Sequence, residues 1–171
     1  AYRDCNNVAE VAESIASLVV RGGPAMGIAA AYGIAMAAQR IRTSDNWEAA
    51  LAADFDMLEG AQSTAISLSW ALGIMRETLR KLTLPQDVPA RLLQAAISVH
   101  ESDREANRSM GRLGMQLIGR RQKKPQKIML HSNDGALATG GYGTAFGVVR
   151  AAHEAGLVDQ VYVSETRPLL Q

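Results

Sequence analysis

The sequence predicts a mixed α and β fold: a helix-rich N-terminal domain over 1–120, then the first βαβ part of a parallel-sheet domain over 126–171. Three observations carry this. Apolar residues recur at helical spacing through most of the first 120 positions. Alanine supplies 28 of the 171 residues and aromatics only 5%, which favours close-packed helices over a β-sandwich. Beyond Pro125 the period changes to short apolar runs bounded by turn residues.

Asn7 with Glu10 three residues later forms a capping-box variant that opens the first helix, and Val8, Val11, Ala12, Ile15, Leu18 and Val19 give it one apolar face. Arg21-Gly22-Gly23-Pro24 interrupts it. Pro24 suits the first turn of a second helix over 24–41, whose alanines and glycines on every side suggest burial against close neighbours. Ser44 or Asp45 is expected to cap a third helix through Trp47, Leu51, Phe55 and Leu58. A fourth is expected over 64–82, stopped by Pro85. Asp87 is expected to cap a fifth, with Pro89 in its first turn and its pattern reaching Leu117.

Residues 127–131 read as a strand between Pro125 and the turn Ser132-Asn133-Asp134-Gly135. A helix over 139–155 ends at Gly156, and 160–164 is a second strand. Strand, helix and strand within so short a span make a βαβ unit with parallel strands.

Composition excludes several classes. The single cysteine, Cys5, rules out an internal disulfide framework and a Cys-rich zinc module. No window is long and apolar enough to span a bilayer, and the N-terminus lacks the basic-then-apolar pattern of a secretory signal. A cytoplasmic protein with no membrane partner is expected. Net charge is only +1, but residues 104–127 hold eight basic side chains against one acid, Glu105. Such a stripe is either a nucleic-acid footprint or a solvated helix end and loop. No aromatic is interleaved to stack bases, so nucleic acid is not an expected partner.

Ligands of open parallel sheets sit at the carboxyl ends of strands, which directs attention to 131–143. Ser132, Asn133 and Asp134 lie there with Gly135, Gly140, Gly141 and Gly143. Glycines before a helix let backbone N–H groups approach an anion, though the same pattern also serves a tight turn. Neither standard nucleotide-binding glycine spacing is present. Arg21-Gly22-Gly23 is a second candidate: a cation beside two glycines before a proline-started helix, or simply an arginine at a helix C-terminus. His100 and Asp103 stand three apart on the fifth helix, as a metal pair or a surface patch. His131 offers acid–base chemistry or a loop hydrogen bond. His153 reads as a helix-surface residue, and Cys5 lies near a frayed terminus without an activating partner.

Several stretches resemble one family. Residues 20–33, from Val20-Arg21-Gly22-Gly23-Pro24 to Tyr32-Gly33, resemble VRGAPAIGIAAAYG. His131-Ser132-Asn133-Asp134-Gly135-Ala136-Leu137-Ala138-Thr139 resembles HCNAGALAT, and residues 165–171 match ETRPLLQ. Glu101, Asp103 and Asn107 match a helix signature of the same family. It is the methylthioribose-1-phosphate isomerases, related to ribose-1,5-bisphosphate isomerase and to regulatory subunits of a translation-initiation exchange factor.

The resemblance implies a Rossmann-like second domain, incomplete here, and aldose–ketose isomerisation of a sugar phosphate in methionine salvage, without metal or nucleotide cofactor. It implies that Arg21, Gly22, Gly23, the position of Gln62, Asn133 and Gly135 hold the sugar phosphate, and that the position of Ser132 is catalytic. It also implies a homodimer or a complementary C-terminal half as partner. Three positions depart from the pattern, among them Asp134, which adds a negative charge beside the expected phosphate site. Ser132 stands where the family has a cysteine, and an alcohol does not ionise as a tuned thiol does. Gln62 stands where the family's Ser-Arg-Pro-Thr-Ala segment has arginine, losing the charge and the bidentate fork. The expectation is an isomerase-like N-terminal portion, inactive alone, with a non-catalytic regulatory or assembly subunit of the same fold as the alternative.

Overall fold

Asn7 and Glu10 open the first helix as their spacing predicts. In the computed structural model, which describes residues 3–41, 46–62, 64–121, 124–131, 135–165 and 167, Asn7 Oδ1 accepts from Glu10 N at 2.9 Å. The Glu10 carboxylate returns to Asn7 Nδ2 at 2.7 Å and to the backbone N–H of Asn6 at 2.8 Å. The helix α1 (Val8–Ala16) is shorter than its apolar pattern. Leu18 takes a left-handed φ of 58°, and Val20 N–H donates to Ser14 O at 3.0 Å, so the chain turns off before Val19.

Helices α2 (Gly23–Ala38), α3 (Trp47–Ala61) and α4 (Ile66–Arg80) follow. Asn46 caps α3, accepting from Ala49 N at 3.1 Å; Ser44 and Asp45, the caps expected from sequence, lie outside the described residues. A 3-10 turn, Pro85–Asp87, leads into α5 (Val88–Arg121), with Asp87 directly before its first residue and Pro89 in its first turn. The helix also runs past Leu117, since no glycine or proline interrupts it before Pro125 except Gly119.

The strands β1 (Gln126–Leu130) and β2 (Val158–Val163) pair in parallel, with Ile128 opposite Val161 and Leu130 opposite Val163. The helix between them, α6 (Ala145–Glu154), begins six residues later than expected. Its approach contains a 3-10 turn, Ala136–Ala138, and two glycines at left-handed φ, Gly141 at 109° and Gly143 at 96°, which no helix accommodates.

The chain forms two compact units, Ala1–Glu101 and Ser102–Gln171, dividing within α5. The first has a continuous core of Ile15, Ile34, Leu51, Leu58, Leu72 and Leu92, all fully buried. Each such side chain contributes about 1.5–3 kcal/mol over its exposed state. In the second, Gly111 and Gly147 admit the Tyr142 ring, and Gly114 lies against Val148.

Candidate functional site

In the first unit, small residues bring two helix N-termini side by side. A Cβ on Gly27 would stand 2.5 Å from the backbone oxygen of Ser67 and 3.3 Å from Ala71 Cβ, and one on Gly23 would stand 3.0 Å from Ser67 Oγ. Contacts that advance by one turn on both helices together, 23 with 67 and 27 with 71, mean that α2 and α4 run in the same direction at close range. Their first turns therefore lie at one end. Neither N-terminus has a side-chain cap or an acidic residue in its first turn, whereas Asn7 and Asn46 cap α1 and α3.

Uncapped first-turn N–H groups carry the positive end of each helix dipole, so two converging ends favour an anion more than either alone. Arg21 precedes α2 and is exposed, with no ion pair among the described residues. Gly22 holds a φ of 92° at the N-cap, which a side chain would strain. Gln62 is the C-cap of α3, and its carbonyl accepts from Ala65 N at 3.0 Å. The turn that carries Gln62 thus leads directly into the first turn of α4, the turn that meets Gly23. Sequence reasoning singled out Arg21, Gly22, Gly23 and Gln62 but missed Ser67, whose role depends on helix packing rather than on any local motif.

In the second unit, Ser132, Asn133 and Asp134 lie outside the described residues. Gly135 starts the 3-10 turn, and its carbonyl accepts from Ala138 N at 3.1 Å and Thr139 Oγ1 at 3.3 Å. Thr139 Oγ1 in turn accepts from Gly143 N at 3.0 Å. Asp103 Oδ2 accepts from Gly140 N at 2.6 Å and from Asn107 Nδ2 at 2.9 Å. The helix signature 101–107 thus engages the loop after β1. Arg150 lies over the ring of Tyr142 in the same loop, 5.0 Å from its centroid.

The remaining candidates separate. His131 Nδ1 lies 2.6 Å from Ser164 Oγ, so this histidine joins the carboxyl ends of β1 and β2. Asp103 serves the loop, and His100 Nδ1 meets the Tyr32 hydroxyl at 3.2 Å with the rings edge to face. Burial, and after it the Glu101 carboxylate, pushes the Tyr32 phenol above its ordinary 10.0. No group of three or more potential metal ligands occurs among the described residues. His153 is exposed on α6. Cys5 is not frayed: it packs against the first core, its Sγ 3.5 Å from Ser14 Oγ and 3.7 Å from Glu10 O. Along the basic stretch Arg108, Arg112, Arg120, Lys124 and Lys127 are exposed. No helix among the described residues is long and apolar enough to cross a membrane.

Residues 19–171 match the initiation factor 2 subunit family. The chain is 51% identical over 171 residues to the methylthioribose-1-phosphate isomerase of Stutzerimonas stutzeri, covering 99% of this chain and 48% of that protein. It is 53% identical over 167 residues to the same-named protein of Pseudomonas aeruginosa, covering 96% and 46%. The chain thus spans about half the length of the curated relatives it matches.

Among solved structures, it is similar to the delta subunit of translation initiation factor eIF-2B from A. fulgidus, with a TM-score of 0.84 and 37% identity over 99% of this chain and 49% of that one. It is also similar to 5-methylthioribose 1-phosphate isomerase from Pyrococcus horikoshii OT3, with a TM-score of 0.86 and 32% identity over 96% and 46%. With a family match over all but its first 18 residues, and relatives that include methylthioribose-1-phosphate isomerases, the chain belongs to the initiation factor 2 subunit family.

Proposed function

We propose that the chain binds a pentose 1-phosphate, in the first instance methylthioribose 1-phosphate, as part of an aldose–ketose isomerase of methionine salvage. One observation carries the reading: the uncapped, acid-free N-termini of α2 and α4 lie together beside Arg21. A phosphate dianion is the ligand such a place stabilises best, through backbone N–H groups and one guanidinium. By the resemblance in the 131–139 segment, Asn133 and Gly135 are also proposed to bind the sugar phosphate.

Moving a hydrogen between adjacent sugar carbons requires groups that give and take protons near neutral pH. Ser132 is a poor donor of that kind, because a hydroxyl ionises far less readily than the thiol it replaces. This polypeptide alone is therefore proposed to bind its ligand with little or no turnover. A homodimer or a complementary C-terminal half is its proposed partner, in the cytoplasm.

Titration calorimetry with ribose 1-phosphate, paired with a proton NMR assay for the ketose, tests both parts. Micromolar binding lost in Arg21→Ala, without ketose formation, is the expected result. Absence of binding would overturn the ligand, and rapid conversion would overturn the inactivity.

A second reading is favoured by Gln62 and Ser132 together, and by the similarity to the delta subunit of eIF-2B. Both departures fall where the resemblance places chemistry, while the first unit has a continuous core and closely packed glycines. A regulatory or assembly subunit would retain the fold and bind no sugar phosphate.

A further inference from the structure

We propose that Asp103 is a positioning residue whose carboxylate holds the 135–143 loop in the shape that receives the ligand, an inference that rests on the sugar-phosphate reading above. A single oxygen, Oδ2, accepts from both Gly140 N at 2.6 Å and Asn107 Nδ2 at 2.9 Å. Asn107 is only 2% exposed and stands one turn further along α5, so its amide fixes the direction of the Asp103 side chain before the loop is met. The bond to Gly140 falls immediately before Gly141, where φ first turns positive.

That placement matters because a glycine-rich segment has many conformations of similar energy. Gly141 and Gly143 reach their left-handed conformations at no steric cost, but nothing intrinsic keeps them there. Beside the packing of Tyr142 against Gly111 and Gly147, two hydrogen-bonding ties hold the loop's backbone N–H groups among the described residues. Thr139 Oγ1 ties Gly143 N to Gly135 O, closing the loop on itself. Asp103 ties Gly140 to a rigid helix, a polar anchor between the loop backbone and α5 that the apolar packing of Tyr142 on Gly111 does not supply. The charge is spent on two N–H donors, so the carboxylate acts by geometry. Taken purely as a charge, it would repel an anionic ligand, and its removal would tighten binding; as an anchor, its removal weakens binding.

Purified wild type, Asp103→Ala, Asp103→Asn and Thr139→Val are compared by hydrogen exchange across 135–143, by calorimetry with ribose 1-phosphate, and by thermal midpoint. Asp103→Ala is expected to speed exchange at Gly140 about tenfold or more, the loss of one charge-assisted hydrogen bond. Its affinity falls by a similar factor while the first unit's helices keep their protection. Asp103→Asn recovers most of both, because a carboxamide oxygen still accepts from Gly140 N. Thr139→Val loosens Gly143 instead.

Unchanged exchange at Gly140 in Asp103→Ala overturns the proposal, as does tighter ligand binding in that variant or an Asn substitution no better than Ala. If wild type binds no ribose 1-phosphate but Asp103→Ala still frees Gly140, the ligand reading fails and the anchoring stands.

Discussion

The backbone oxygen of Ser67 on α4 lies 2.5 Å from where any side chain at Gly27 on α2 would begin. No real Cβ is found so near a carbonyl oxygen, and the obstructing atom is backbone, which cannot swing aside. The two helices approach closely only because position 27 has no side chain, and that approach sets their N-termini together.

Gly27→Ala is accordingly expected to destabilise the first unit by about 1–3 kcal/mol, the usual cost of overpacking, and to part the two N-termini. Gly73 on α4 is the control. A Cβ there meets nothing within 4 Å, and Gly73→Ala is expected to stabilise the protein by about 0.5–1 kcal/mol through helix propensity. Urea denaturation of both variants checks the pair, and equal effects would contradict the packing described.

Stability at acid pH reports on the start of α1. The backbone N–H of Asn6, opposed by burial and then joined by the Asn7 and Asn6 side chains and Arg3, holds the Glu10 carboxyl below its ordinary 4.5. A depressed folded-state value means that this contribution is complete above 4.5 and is lost as pH falls through the folded value. Glu10→Gln should be less stable than wild type at neutral pH and converge with it in acid, in denaturation curves collected from pH 7 downward. A gap constant with pH would contradict it.

At the alkaline end the sign reverses in sense. Burial and Glu101 raise the Tyr32 phenol, so its contribution is complete below 10.0 and is lost as pH rises through the higher folded value. Ultraviolet titration of the four tyrosines should lose a step above 10.0 in Tyr32→Phe. If the step removed lies below 10.0, the Tyr32 environment is misdescribed.

Much of this was legible in the sequence because it is local. The Asn7–Glu10 cap, the proline-started α2 and the strands around α6 each follow from a few neighbouring residues. What was not legible depends on contacts between distant residues. Nothing local tells that Gly27 faces Ser67, or that Asp103 bonds a backbone 37 residues away. Spacing alone suggested neither the bond of His100 to Tyr32 nor that of Asp103 to Gly140. The late start of α6 was missed because glycine permits a helix as well as a turn, and only the observed φ values separate them. For the candidate site, the sequence marked Arg21 and Gln62, while packing explains why the turns carrying them belong together.

The central claim is that a sugar phosphate is bound where α2 and α4 begin. The most direct measurement is calorimetric titration of ribose 1-phosphate into wild type and Gln62→Arg. Restoring a guanidinium in the turn before α4 is predicted to tighten binding about tenfold, in keeping with about 1.5–3 kcal/mol for a charged hydrogen bond, with inorganic phosphate competing in both. Equal affinity in the two proteins, or no binding by either, would contradict it.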